Sequence, residues 1–235
     1  MDLKHKVIVV TGGARGLGYA LCKRFAAAGA RGIAIADLDA DQASLAAREL
    51  GGIALRCDVS REDDIQRVVK ETEAAFGGID LFCSNAASTV DDADSRNAVS
   101  AADSDFERCW RVHVMAQVYA ARALLPTMSA RGSGYFLNTV SAAGLLRKVG
   151  SAAYCASEHG VLGFAEHLAI KCQYQGIKVS VLWPHAMRTA MIGGSMEKAS
   201  SPVDEIIAVD ALADAVVKGL AEEKFLILPR PQAGR

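Results

Sequence analysis

Val7-Ile8-Val9-Val10-Thr11-Gly12-Gly13-Ala14-Arg15-Gly16-Leu17-Gly18 is the stretch on which the fold turns. Four consecutive apolar β-formers predict a strand covered on both faces, since no polar residue alternates with them. The run opens directly into glycines at 12, 16 and 18, and a helix pattern follows from about Leu17 to Ala28, stopping at Gly29. Glycines in those places permit a tight turn, close approach of backbone to a pyrophosphate, and close packing of helix on strand. The helix N-terminus adds free N–H groups and the positive end of a dipole, both suited to a diphosphate. Glycines alone are weak grounds for a ligand. A strand before them and a helix after them supply the context that makes the pattern meaningful.

Beyond this stretch, strand and helix patterns alternate to the far end. Strands are predicted near 32–36, 53–57, 79–84, 134–140, 178–183 and 225–228, and helices near 41–50, 62–76, 104–128, 151–174 and 211–222. The segment 185–202 is rich in Met, Gly, Ser and Lys without a clear period and reads as a loop or short helical lid. There is no internal repeat and no linker-like break. The expected architecture is α/β: a doubly wound, Rossmann-like parallel sheet of about seven strands with helices on both faces. Residues 1–235 are expected to form one dinucleotide-binding and catalytic domain, with a short substrate lid near 187–202.

Composition excludes several function classes. Hydrophobic residues make up 51% of the 235 residues and the net charge is −1, so a sizeable core is available but nothing draws the chain to nucleic acid or to an anionic membrane. Met1 to Lys6 run straight into the first strand without the apolar stretch and cleavage site of a signal peptide, and no apolar segment is long enough to span a bilayer. The six cysteines show no C-x-x-C pairing and fall mostly in apolar surroundings, as expected of buried thiols in a reducing cytoplasm. No metal site is expected, because no histidine has partner ligands at suitable spacing.

Thr11-Gly12-x-x-x-Gly16-x-Gly18 resembles the short-chain dehydrogenase/reductase form of the dinucleotide fingerprint, and the resemblance runs from about Lys4 to Pro229. It implies that Gly12, Arg15, Gly16, Leu17 and Gly18 face the cofactor diphosphate. Asp37 closes the second strand about twenty residues after the glycine turn, where a carboxylate accepts hydrogen bonds from adenosine ribose hydroxyls and repels a 2′-phosphate. Leu38 follows it, where a phosphate-binding form would place a basic residue. Arg15 pulls the other way, since it could reach a 2′-phosphate. The aspartate weighs more, so NAD(H) is the expected cofactor and NADP(H) the lesser alternative. Asp58-Val59 resembles the family's adenine-contacting pair, and Asn85-Ala86-Ala87 its Asn-Ala-Gly. Trp183-Pro184-His185 resembles its Pro-Gly turn, after which Thr189 would bind the nicotinamide carboxamide.

Asn138-Thr139-Val140-Ser141 ends the fifth strand and Tyr154 lies thirteen residues further on, which matches the family's catalytic serine and tyrosine. The resemblance implies that Ser141 binds the substrate oxygen while Tyr154 gives or takes the proton. Two positions depart from the family. Tyr154-Cys155-Ala156-Ser157-Glu158 carries glutamate where the family has lysine, and His113 stands where it usually has asparagine at a helix irregularity. Glu158 could still accept from ribose hydroxyls, but an ionised carboxylate one turn away raises the tyrosine pKa rather than lowering it. A Glu158/His113 pair would restore charge balance if the imidazole were protonated. The plainer readings are a solvated helix face for Glu158 and a satisfied core histidine for His113.

Ala142, Leu145, Leu146, Val149, Met187 and Met191 are among residues that could line a mainly apolar pocket. The first expectation is therefore an NAD-dependent dehydrogenase/reductase acting on a hydrophobic secondary alcohol or ketone. The second is an NAD-binding regulatory or structural subunit with impaired turnover, which Glu158 favours and intact Ser141 and Tyr154 oppose. By resemblance, the two long helices would join a homodimer or homotetramer.

Overall fold

In the computed structural model, residues 1–90, 94, 97, 99–140, 151–183 and 207–229 are described. The strands are β1 (Val7–Thr11), β2 (Gly32–Asp37), β3 (Ile53–Arg56), β4 (Leu81–Ser84), β5 (Gly134–Thr139), β6 (Ile177–Leu182) and β7 (Leu226–Ile227). Between them lie the helices α1 (Gly16–Ala27), α2 (Ala40–Leu50), α3 (Glu62–Phe76), α4 (Asp103–Cys109), α5 (Ala116–Arg131), α6 (Ala152–Cys172) and α7 (Val209–Ala221). A π-helix, Trp110–Met115, joins α4 to α5, and a 3₁₀ turn, Gln173–Gln175, follows α6. No described helix is long and apolar enough to cross a membrane.

The seven strands form one parallel sheet in the order β3-β2-β1-β4-β5-β6-β7. The uninterrupted apolar run of β1 has a direct explanation. Successive side chains of a strand point to opposite faces. Val7 and Val9 pack with Val68 of α3, Leu124 of α5 and Leu168 of α6, whereas Ile8 and Val10 pack with Leu21 of α1, Ala43 of α2 and Val216 of α7. With helices on both faces, neither set of side chains can be polar without stranding a group in the core.

Element boundaries shift slightly from those expected. The helix predicted near 104–128 spans 103–131 but is interrupted by the π segment, an extra-residue irregularity to which hydrophobic periodicity is blind. β7 has two residues rather than four, because its pairing with β6 covers only Val181↔Leu226 and Leu182↔Ile227 at the sheet edge. The expected lid near 187–202 lies outside the described residues. β1 and β4 are neighbours, yet the chain leaves them toward opposite sides of the sheet. Their C-terminal ends therefore diverge into a crevice, the usual ligand site of doubly wound sheets.

Candidate active site

The crevice is a cleft of about 940 Å³. Gly12, Arg15, Gly16 and Leu17 line it from the β1–α1 turn, Asp37 and Leu38 from the end of β2, and Cys57, Asp58, Val59 and Ser60 from the turn after β3. Asn85, Ala86 and Ser88 after β4, Glu107 and Arg108 of α4, Arg111 and Val112 of the π-helix, Thr139 of β5, and Tyr154 and Glu158 of α6 also line it. Two glycines in the turn hold positive φ, 63° at Gly12 and 55° at Gly16, which few side chains tolerate. A Cβ on Gly12 would stand 2.9 Å from the Ala86 Cα, and one on Gly18 would collide with the Gly12 carbonyl oxygen. Nothing lies within 4 Å of the Cβ position of Gly16, so its backbone opens on the cleft. A diphosphate fits this cradle through backbone N–H groups and the N-terminus of α1.

Polar side chains fix the strand ends around it. Thr11 Oγ1 donates to the Cys83 carbonyl (3.3 Å) and accepts from the N–H groups of Asn85 (3.0 Å) and Ala86 (3.2 Å). Asn85 Nδ2 donates to the Thr11 carbonyl (3.2 Å), so this side chain ties the glycine turn to β4. Asp37 is buried, and its carboxylate accepts from the N–H of Ala14 (3.0 Å) and of Asp39 (3.1 Å). Two lone-pair sites are used and two are left for a ligand. Asp58 Oδ1 accepts from the N–H (3.0 Å) and Oγ (2.7 Å) of Ser60, which shapes the turn after β3. Cys57 borders the cleft, but burial pushes its thiol up to about 12, so it is inert.

At the other end Ser151 caps α6, its Oγ accepting from the Tyr154 N–H (3.3 Å), and Tyr154 is thereby set in the first turn facing the cleft. The π-helix turns His113 inward, its ring edge-on to Tyr154 with centroids 5.3 Å apart. His113 Nε2 accepts from the Ser88 N–H (3.0 Å), Nδ1 lies 2.8 Å from Ser157 Oγ, and Ser157 Oγ donates to the Tyr154 carbonyl (2.8 Å). One assignment satisfies all three: Nδ1 carries the proton, Nε2 does not, and the imidazole is neutral. Burial acts in the same sense, pushing His113 from its ordinary 6.5 down to about 4.

Glu158 is 3% exposed and its Oε1 lies 3.5 Å from His113 Nδ1. The solvated-face reading of Glu158 is thus overturned, because this face of α6 packs against the π-helix. The two residues are brought together as anticipated, but charge balance by an imidazolium is corrected: at neutral pH the ring already accepts a backbone N–H and has nothing to neutralise a carboxylate with. Sequence reasoning missed Ser157, Thr11 and Ser88. The only sequence signal for Ser157 is its place three residues from Tyr154, on the same helix face. Ser141, Pro184 and Thr189, with the expected apolar pocket, lie outside the described residues. Among the described residues no group of three or more His, Cys, Asp or Glu side chains could hold a metal ion.

A family model described as short chain dehydrogenase matches residues 6–200. The chain belongs to that family. Short chain dehydrogenases are oxidoreductases acting on CH–OH donors, and this chain is an enzyme of that class. It is 33% identical over 194 residues to the sex determination protein tasselseed-2 of Zea mays, covering 81% of this chain but 57% of that protein. It is 30% identical over 239 residues to 1-deoxy-11-beta-hydroxypentalenate dehydrogenase of Streptomyces exfoliatus, covering 99% of this chain and 86% of that one. Among solved structures, 3-ketoacyl-(acyl-carrier-protein) reductase from Brucella melitensis complexed with NADH superposes with a TM-score of 0.85 at 27% identity, covering 96% of each chain. A nicotinamide dinucleotide is therefore the class of cofactor this short chain dehydrogenase takes.

Proposed function

We propose that this short chain dehydrogenase moves a hydride between NAD(H) and a hydrophobic secondary alcohol or ketone. The observation that carries the reading is that Tyr154 and the Gly12–Gly16 turn border one continuous cleft, with Asp37 at its far wall. Gly12, Arg15, Gly16, Leu17 and Gly18 hold the diphosphate end. Asp58 and Val59 flank the adenine, and Asn85 and Ala86 hold the end of β4 to the glycine turn beside the cofactor. Pro184 and Thr189 would fix the nicotinamide end. When bound, the dinucleotide supplies the hydride donor or acceptor.

The chain's own residues do the rest. Ser141 holds the reacting oxygen, and Tyr154 gives it a proton in reduction or removes one in oxidation. Glu158, on the cleft wall one turn from Tyr154, accepts from ribose hydroxyls. His113 and Ser157 hold the first turn of α6 against the loop that carries Ser88. Asp37 favours NAD(H), because its carboxylate is pinned by two N–H groups and cannot swing away from a 2′-phosphate. Arg15 is exposed to solvent, which screens its charge and makes it the weaker determinant.

Phe106, Trp110, Ile170 and Tyr174 are large exposed apolar side chains on α4, the π-helix, α6 and the turn after it. These exposed apolar side chains support a homodimer or homotetramer in which the two long helices pack against a second copy. The reaction is tested by measuring NADH and NADPH binding by fluorescence beside turnover on a panel of secondary alcohols and ketones. Tyr154→Phe should lower turnover by about 10²–10⁴-fold while leaving NADH affinity within about twofold. Equal activity in the Tyr154→Phe enzyme would sink the assignment.

A further inference from the structure

Tyr154 is the third residue of α6, within the first turn, where backbone N–H groups have no partner inside the helix and the turn tends to fray. Both of its main-chain groups are nevertheless secured from outside, and by one segment. On one side the Tyr154 N–H donates to Ser151 Oγ (3.3 Å), and the Ser151 N–H donates to the Val90 carbonyl (3.3 Å). On the other, the Ser88 N–H donates to His113 Nε2 (3.0 Å), Nδ1 donates to Ser157 Oγ (2.8 Å), and that hydroxyl donates to the Tyr154 carbonyl (2.8 Å). Ser88 and Val90 are two residues apart, so these bonds close a ring around the start of α6. Ser151, Ser157 and His113 are all buried, which shields the ring from competing water. Val90, Cys109 and Ala153 pack together beside it.

The segment that anchors the ring is also a wall of the cofactor crevice. Its first residues, Asn85 and Ala86, donate their N–H groups to Thr11 Oγ1 beside the glycine turn, and Ala86, Ala87 and Ser88 line the cleft. We propose that this ring couples the crevice to Tyr154: a dinucleotide bound against residues 86–88 steadies the segment, and the segment holds Tyr154 in place through three positioning residues, His113, Ser151 and Ser157. None of these three borders the cleft, so they act through Tyr154 and the segment rather than by touching a ligand. Such coupling is reciprocal. Whatever cofactor binding adds to the stability of the first turn of α6, loosening that turn takes from cofactor affinity.

The inference rests on the reading of the crevice and Tyr154 given above, and its test uses the full chain without a substrate. Hydrogen exchange read by mass spectrometry should show NADH slowing exchange over residues 12–18 and also over residues 151–158 in the native protein. Ser157→Ala opens one side of the ring while suiting a helix interior. In it NADH should still protect 12–18 but no longer protect 151–158, and the Kd for NADH should rise about three- to tenfold. His113→Phe, which keeps a ring of similar bulk and removes both nitrogens, should behave alike. Ser151→Thr, which retains a capping hydroxyl, should match the native protein. Nitrogen NMR of the native chain should place the His113 proton on Nδ1. A proton on Nε2, or equal protection of 151–158 in native and Ser157→Ala proteins, overturns the proposal. Protection of 12–18 without 151–158 in the native protein overturns the coupling alone. Absence of protection at 12–18 overturns the cofactor reading and the coupling with it.

Discussion

His113 is 4% exposed in the native protein and its proton uptake falls from 6.5 to about 4, which makes it a measurable acid liability. The unfolded chain binds this proton below about pH 6.5, while the native chain binds it only near pH 4. Between those values the unfolded state holds more protons, so stability declines as pH falls, by about 3 kcal/mol across the window. Urea unfolding at pH 7, 5.5 and 4 should show this loss in the native protein and a smaller one in His113→Asn. Glu158 acts at the same scale but on chemistry. Replacing it in Glu158→Lys puts a cation one helical turn from Tyr154 and favours the tyrosinate. The acid limb of alcohol oxidation should move to lower pH by about one unit, read from rate profiles. The identities of these residues were legible in the sequence, and so was their departure from the family. Their protonation was not, because it depends on which backbone N–H the π-helix brings to Nε2.

Among the elements, α1 and α6 do most of the positioning. α1 starts where Gly18 passes the Gly12 carbonyl without room for a methyl group. Gly18→Ala should therefore push the helix off the turn, costing about 1–3 kcal/mol in denaturant unfolding and at least tenfold in NADH affinity. α6 is held at its first turn by Ser151, and Ser151→Ala should cost about 1 kcal/mol through the lost cap. It should also lower turnover through misplacement of Tyr154, a split visible by comparing stability with kcat. Helix and strand periods sufficed to place nearly every element, since each has one face or two faces against a core. They could not reveal the π segment at Trp110–Met115. A single extra residue leaves the apolar pattern nearly unchanged while rotating His113 toward α6.

For the molecule as a whole, the cleft is assembled by ends of strands far apart in the chain, so ligand and fold are thermodynamically linked. NADH at a hundredfold excess over its Kd should add about 2.7 kcal/mol, which corresponds to a rise in Tm of about 5–10 °C by calorimetry. NADPH at the same concentration should give a smaller rise if Asp37 excludes the 2′-phosphate. Substituting a charge for an exposed apolar side chain, as in Ile170→Asp, should shift the sedimentation of any dimer toward monomer without altering NADH affinity. What the chain's letters determined by themselves was the doubly wound sheet and the cofactor turn. Both follow from local rules: two-sided burial makes β1 apolar throughout, and the close approaches at Gly12 and Gly18 leave no room for a side chain. Tertiary structure alone decided that Glu158 is buried and that His113 is neutral beside it. Those outcomes depend on which groups three separate elements bring within about 3.5 Å, and a one-dimensional pattern carries no such distances.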